Sequence, residues 1–113
     1  MVYKCYIIAQ SLSQKEWLQF CKSAMESRYK SSPDFIRFIV VIENAYPKFL
    51  IKDEEILQEV YQGTDHNPSR LRVLRTYLKH LIEDFIINQE LKKDDFYRRR
   101  ILIEGLKNRN CIE

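Results

Sequence analysis

Asn67-Pro68-Ser69-Arg70-Leu71-Arg72-Val73-Leu74-Arg75-Thr76-Tyr77-Leu78-Lys79-His80-Leu81-Ile82-Glu83-Asp84-Phe85-Ile86 carries the clearest periodic pattern of the chain. Leu71, Leu74, Leu78, Leu81 and Phe85 recur at alternating steps of three and four, which makes one apolar seam along about four helical turns. Ile82 and Ile86 widen it. Asn67 suits the N-cap, and Pro68 suits a first helical position, where an N–H has no intrahelical partner to lose. The spacing predicts a helix over Pro68–Gln89, the longest of the chain. Its seam needs other elements to cover it.

Working outward toward the N-terminus, Asp53 reads as the cap of a short helix carrying Ile56, Leu57, Val60 and Tyr61, closed by Gly63. Ser32-Pro33-Asp34 opens another helix, with serine as cap, proline in the first turn and aspartate at the positive end of the dipole. Its run Phe35, Ile36, Phe38, Ile39, Val40, Val41, Ile42 is apolar nearly all round, so Pro33–Ala45 is expected at the centre of the fold. Pro47 disfavours helical geometry at Tyr46 and should end it. Phe49-Leu50-Ile51 then reads as an apolar connector. Ser13-Gln14-Lys15-Glu16 is a capping box, and the helix behind it carries Trp17, Phe20, Cys21, Ala24 and Met25 on one stripe. Val2 to Gln10 has helical spacing at Tyr3, Tyr6, Ile7 and Gln10, but its aromatic and β-branched content also suits a strand; a short helix is the preferred reading.

Toward the C-terminus a last helix is expected from about Lys92 to Arg109. Its apolar residues, Phe96, Tyr97, Ile101, Leu102, Ile103 and Leu106, do not share one narrow stripe, which predicts a surface that another body covers. Gly105 would let another helix approach closely. The whole chain, residues 1–113, thus reads as a single all-α domain, a compact orthogonal assembly of five or six helices.

Composition agrees. Apolar residues make up 45% of the 113 and charged residues 31%, enough of the first for a core and of the second for a surface. Two glycines and three prolines are too few for the turns of an all-β domain. Cys5, Cys21 and Cys111 are odd in number and lack metal or redox spacing, so they read as reduced thiols of a cytoplasmic protein. No apolar run is long enough to span a membrane, and no secretory signal pattern begins the sequence.

Motifs of catalysis are absent. His66 beside Asp65, and His80 with Glu83 and Asp84, offer too few ligands for a structural metal. Glu54-Glu55 and Asp94-Asp95 read as dipole-stabilising residues near helix starts. There is no glycine-rich phosphate loop and no nucleophile motif. No catalytic, metal-binding or cofactor-binding residue is therefore assigned, and the expectation is a protein that is not an enzyme and carries no cofactor.

The net charge of +3 lies wholly in the second half. Arg70, Arg72, Arg75 and Lys79 form a basic helix face with no acid between Asp65 and Glu83; Arg98-Arg99-Arg100 is spread around its helix by the 100° step. The first cluster is the candidate nucleic-acid face, the short helix before it lying across the backbone in a helix-turn-helix-like arrangement. If it is only a solvated face, reversing Arg72 and Arg75 to Glu leaves folding nearly intact.

The order of these motifs resembles the N-terminal region of a family of long, all-helical, uncharacterised Bacteroidetes proteins. The residues that carry the likeness are Ser11-Leu12-Ser13-Gln14-Lys15-Glu16-Trp17-Leu18-Gln19-Phe20, Tyr46-Pro47-Lys48-Phe49, Tyr61-Gln62-Gly63, Leu71-Arg72-x-Leu74, Leu78-x-x-Leu81-Ile82-Glu83-x-Phe85 and Gln89-Glu90-Leu91. In such proteins a segment like Phe96-Tyr97-Arg98-Arg99-Arg100-Ile101-Leu102 begins a further helical array, whereas this sequence stops soon after. The resemblance implies fold and context, with no activity attached. The function expected is a non-enzymatic interaction or scaffold module that docks a protein partner, or the C-terminal helical region of a longer chain, through Ile101, Leu102 and Leu106. Nucleic-acid binding through Arg70, Arg72, Arg75 and Lys79 is the alternative.

Overall fold

The computed structural model describes residues 3–61, 68–93 and 95–110, with only the backbone of 95–97. Every regular element among them is a helix: α1 Lys4–Gln10, α2 Gln14–Met25, α3 Pro33–Glu43, α4 Asp53–Tyr61, α5 Pro68–Lys93 and α6 Asp95–Asn108. The chain is all-α and divides into two compact units, residues 1–82 and residues 83–113.

Local chemistry sets the starts. The Ser13 hydroxyl accepts from the Glu16 N–H at 3.1 Å and the Glu16 carboxylate accepts from the Ser13 N–H at 2.9 Å, so the capping box of α2 is closed on both sides. Ser32 caps α3 by accepting from the Phe35 N–H at 3.3 Å, with Pro33 as first residue. The Val2–Gln10 ambiguity resolves as helix α1. Asp53 is corrected from cap to first residue of α4: the Lys52 carbonyl takes the first helical bond, from the Ile56 N–H, and the Asp53 carboxylate is engaged elsewhere. The expected Gly63 and Asn67 termini and His66 lie outside the described residues.

In the first unit, α3 packs against α2 and α4. Phe35, Phe38, Ile39 and Ile42 bury one face of α3, while Val40 is exposed, so α3 is central but one-sided rather than apolar all round. Trp17 is fully buried; its ring stacks on Phe20 and Tyr46 at 5.6 and 5.3 Å, and its indole N–H donates to the Glu43 carbonyl. The Tyr46-Pro47-Lys48-Phe49 stretch is structural. Tyr46 donates its hydroxyl hydrogen to the Leu12 carbonyl, Gln10 donates to the Pro47 carbonyl, and Phe49 stacks on Tyr6 at 4.9 Å. Phe49 adopts a left-handed backbone (φ 49°), which disfavours a bulky residue by about 1–2 kcal/mol. Ring contacts with Tyr6, Trp17 and Tyr46 hold it there.

The seam of α5 shifts from its expected line. Leu71, Leu74, Leu78 and Ile82 are buried, whereas Leu81 and Phe85 are only half-buried. A straight helix drifts by about 20° per heptad against a strict seven-residue repeat. From Leu71 the buried row therefore passes through Leu78 to Ile82, eleven residues over three turns. One more residue lies on that row: Arg75.

The second unit holds the end of α5 and α6. Helix α5 runs on past the expected Gln89 to Lys93, because Glu90, Leu91, Lys92 and Lys93 favour helix and the two lysines suit its negative end. Ile101, Leu102 and Ile103 of α6 are exposed.

Candidate functional site

Three helices of the first unit meet at Arg75. Helix α1 brings Tyr3, its N-cap residue, and Tyr6; α4 brings Asp53 as its first residue; α5 brings Arg75 from its buried row. The Arg75 side chain is only 10% exposed. Its Nη2 donates to Asp53 Oδ1, and its Nε donates to the Tyr6 hydroxyl at 3.3 Å. The other carboxylate oxygen of Asp53 accepts from the Tyr3 hydroxyl at 2.8 Å. The guanidinium carbon lies 3.6 Å from the centre of the Tyr3 ring, a close cation–π contact.

This cluster is a buried charge held by partners that are themselves partly open to water at Tyr3 and Asp53. Desolvation opposes the guanidinium, but the Tyr6 hydrogen bond and the Asp53 pair outweigh it and raise its pKa. The hydrogen bond to Asp53 raises the Tyr3 hydroxyl, and burial raises Tyr6. No buried side-chain nitrogen or oxygen among the described residues lacks a hydrogen-bond partner.

Arg75 therefore leaves the expected basic face. The helical period puts it between Leu71 and Leu78 rather than among the solvated arginines, and the tyrosines and Asp53 make that position tolerable. Arg70 and Arg72 are exposed and Lys79 is half-buried. Arg70 lies over the Tyr61 ring at 5.4 Å. Arg72 and Lys79 reach a cleft of about 470 Å³ that Tyr3, Lys4, Asp53 and Arg75 also line.

No family model, no curated protein and no solved structure matches this chain.

The expected docking residues are only partly alike. Ile101 and Leu102 are 46% and 60% exposed, Ile103 adds 45%, and Leu106 is half-buried. Sequence reasoning named Ile103 as apolar but not as part of this patch. It missed the Tyr3–Tyr6–Asp53–Arg75 cluster and Lys4 altogether. The position of Arg75 on the Leu71–Leu78 row was the available signal.

Other groups do not assemble. Among the described residues no three His, Cys, Asp or Glu side chains gather as metal ligands, and His80 is exposed. Cys5 and Cys21 are free and buried, and burial pushes their thiols up to about 11 and about 12. No helix among the described residues is long and apolar enough to cross a membrane. The side chains of the Asp94-Asp95 pair and all of Cys111 lie outside the described residues.

Proposed function

We propose that this protein is a non-enzymatic helical interaction module of the cytoplasm, which docks a protein partner, or a further helical region of a longer chain, through α6. The observation that carries the reading is the run Ile101-Leu102-Ile103, three consecutive large apolar side chains open to solvent. The 100° step spreads these three side chains over a broad side of α6, and a short helix that leaves so much large apolar surface open is one that another body covers. The likeness to the N-terminal region of long helical Bacteroidetes proteins, in which further helices follow, supports the same reading.

Its test is the double substitution Ile101→Asp and Leu102→Asp. Because both side chains are exposed, the denaturation midpoint should stay within about 0.5 kcal/mol of the parent. Association with a partner retained by the wild-type chain from its host's extract should be lost. A variant that retains the same partner, or a wild type that retains none, refutes the reading.

The nucleic-acid alternative is left with Arg70, Arg72 and Lys79, since Arg75 is inside the fold. It calls for duplex binding that weakens steeply with salt. No such binding is expected at physiological salt.

A further inference from the structure

The cleft beside Arg75 has a charge pattern that the fold alone does not require. Among the described residues, Lys4, Arg72, Arg75 and Lys79 line it together with one carboxylate, Asp53. Both oxygens of that carboxylate are already engaged, one by Tyr3 and one by Arg75. Arg75 is thus balanced within the cluster. Lys4 and Arg72 are exposed and have no ion-pair partner among the described residues. In a chain with a net charge of only +3, such cations repel one another unless an anion lies between them.

The cleft also has the dimensions of a ligand site. Its volume of about 470 Å³ falls within the range of about 300–1,000 Å³ typical of small-molecule pockets. Its floor is held by the Arg75 network, so the Tyr3 ring is fixed in place by the guanidinium on its face and by the hydroxyl bond to Asp53. A bare ion would leave most of this space to water. A ligand with an apolar or aromatic body beside its anionic group fills it, with the body against Tyr3 and the anion toward Lys4 and Arg72.

We propose that the cleft between the start of α1 and the first turns of α5 binds a small organic oxyanion, a phosphate or carboxylate carried on an apolar or aromatic body. Lys4 and Arg72 contact the anionic group, Lys79 adds long-range attraction, and Arg75 acts as a positioning residue through Tyr3 and Asp53. This site is separate from the α6 surface, and neither reading depends on the other.

The experiment is an amide-resolved NMR titration of the whole chain with phenyl phosphate, benzoate and inorganic phosphate in turn. Saturable shifts confined to the residues around Tyr3, Lys4, Arg72 and Thr76 are expected, with phenyl phosphate or benzoate binding about tenfold tighter than inorganic phosphate. Preference between the two aromatic probes tells phosphate from carboxylate. Lys4→Gln and Arg72→Gln each remove one exposed cation and should each weaken binding about tenfold, with the spectrum of the free chain preserved elsewhere. Arg99→Gln on α6 should leave the affinity unchanged. Absence of saturation with all three probes at millimolar concentration overturns the proposal, as does affinity indifferent to Lys4→Gln and Arg72→Gln. Duplex DNA binding that Arg72→Gln abolishes, without any small-anion binding, would assign these cations to nucleic acid and overturn it equally.

Discussion

Replacing Arg75 with Met keeps most of the apolar stem and removes the charge, so it isolates what the guanidinium contributes. Three interactions go: the charged bond to Asp53, the bond to the Tyr6 hydroxyl, and the cation–π contact at 3.6 Å from the Tyr3 ring centre. Hydrogen bonds to a charged group contribute about 1.5–3 kcal/mol, and a partly desolvated cation–π contact about 0.5–2 kcal/mol. Removing one member of a fully buried ion pair costs about 3–5 kcal/mol, because the other is left charged and dry. Asp53 does not reach that limit, since its side chain is 40% exposed and recovers water when the arginine goes. Relief of arginine desolvation offsets part of the remainder. The expected net loss is about 2–3 kcal/mol, which lowers the melting temperature by roughly 10–20 °C for a unit of this size. Urea and thermal denaturation followed by circular dichroism measure it, with Arg72→Met as the matched exposed control, expected within about 0.5 kcal/mol. In a double-mutant cycle with Asp53→Asn, the two losses should be clearly less than additive. Equal losses for Arg75→Met and Arg72→Met, or additivity with Asp53→Asn, would refute the account. The same reasoning replaces the expectation that Arg72 and Arg75 can both be reversed to Glu with folding intact: Arg72→Glu alone should be tolerated, and Arg75→Glu should set two carboxylates together and unfold the first unit.

Three further outcomes follow from other parts of the fold. Ser13→Ala removes the hydroxyl that accepts from the Glu16 N–H, leaves the backbone N–H of position 13 on the Glu16 carboxylate, and should cost about 0.5–2 kcal/mol; an unchanged urea midpoint would remove the cap's role. Leu78→Ala, at a fully buried position, should cost about 2–5 kcal/mol, whereas Val73→Ala on the exposed side of the same helix should cost under about 1; similar values for the two would place the seam in solvent. Cys5 and Cys21 are raised to about 11 and about 12 by burial, so the fold favours their neutral thiols. The stability tied to them is complete below the unfolded value near pH 8.5 and is lost as pH rises toward the folded values. The urea midpoint should therefore fall above about pH 9, less steeply in a Cys5→Ala, Cys21→Ala variant; a slope unaltered by that change would contradict the assignment.

Helix positions and most of the core were legible because they depend on neighbours a few residues apart. A serine three positions before a glutamate, or a proline one residue after a serine, specifies a helix start with groups from a single turn. Leu71, Leu74 and Leu78 are spaced to share one face whatever the rest of the chain does. The seam beyond Leu78 was less secure, because choosing between Leu81 and Ile82 requires the helix's true twist. Phe49 was unforeseeable in a left-handed conformation, since only ring contacts with Tyr6, Trp17 and Tyr46 offset its local disadvantage.

The all-α class, the caps and the amphipathic rows that make a core follow from local sequence alone. The fate of the charges on those rows depends on how the helices meet. Arg75 lies on the apolar row by its spacing, yet an arginine belongs in water unless partners replace that water. Those partners come from Asp53, 22 positions away, and Tyr6, 69 positions away, and no spacing within α5 carries news of them. The same long-range meeting brings Lys4 to Arg72 and opens the cleft between them. Periodicity settles where a side chain points; desolvation, settled by distant partners, decides whether a charge can remain there.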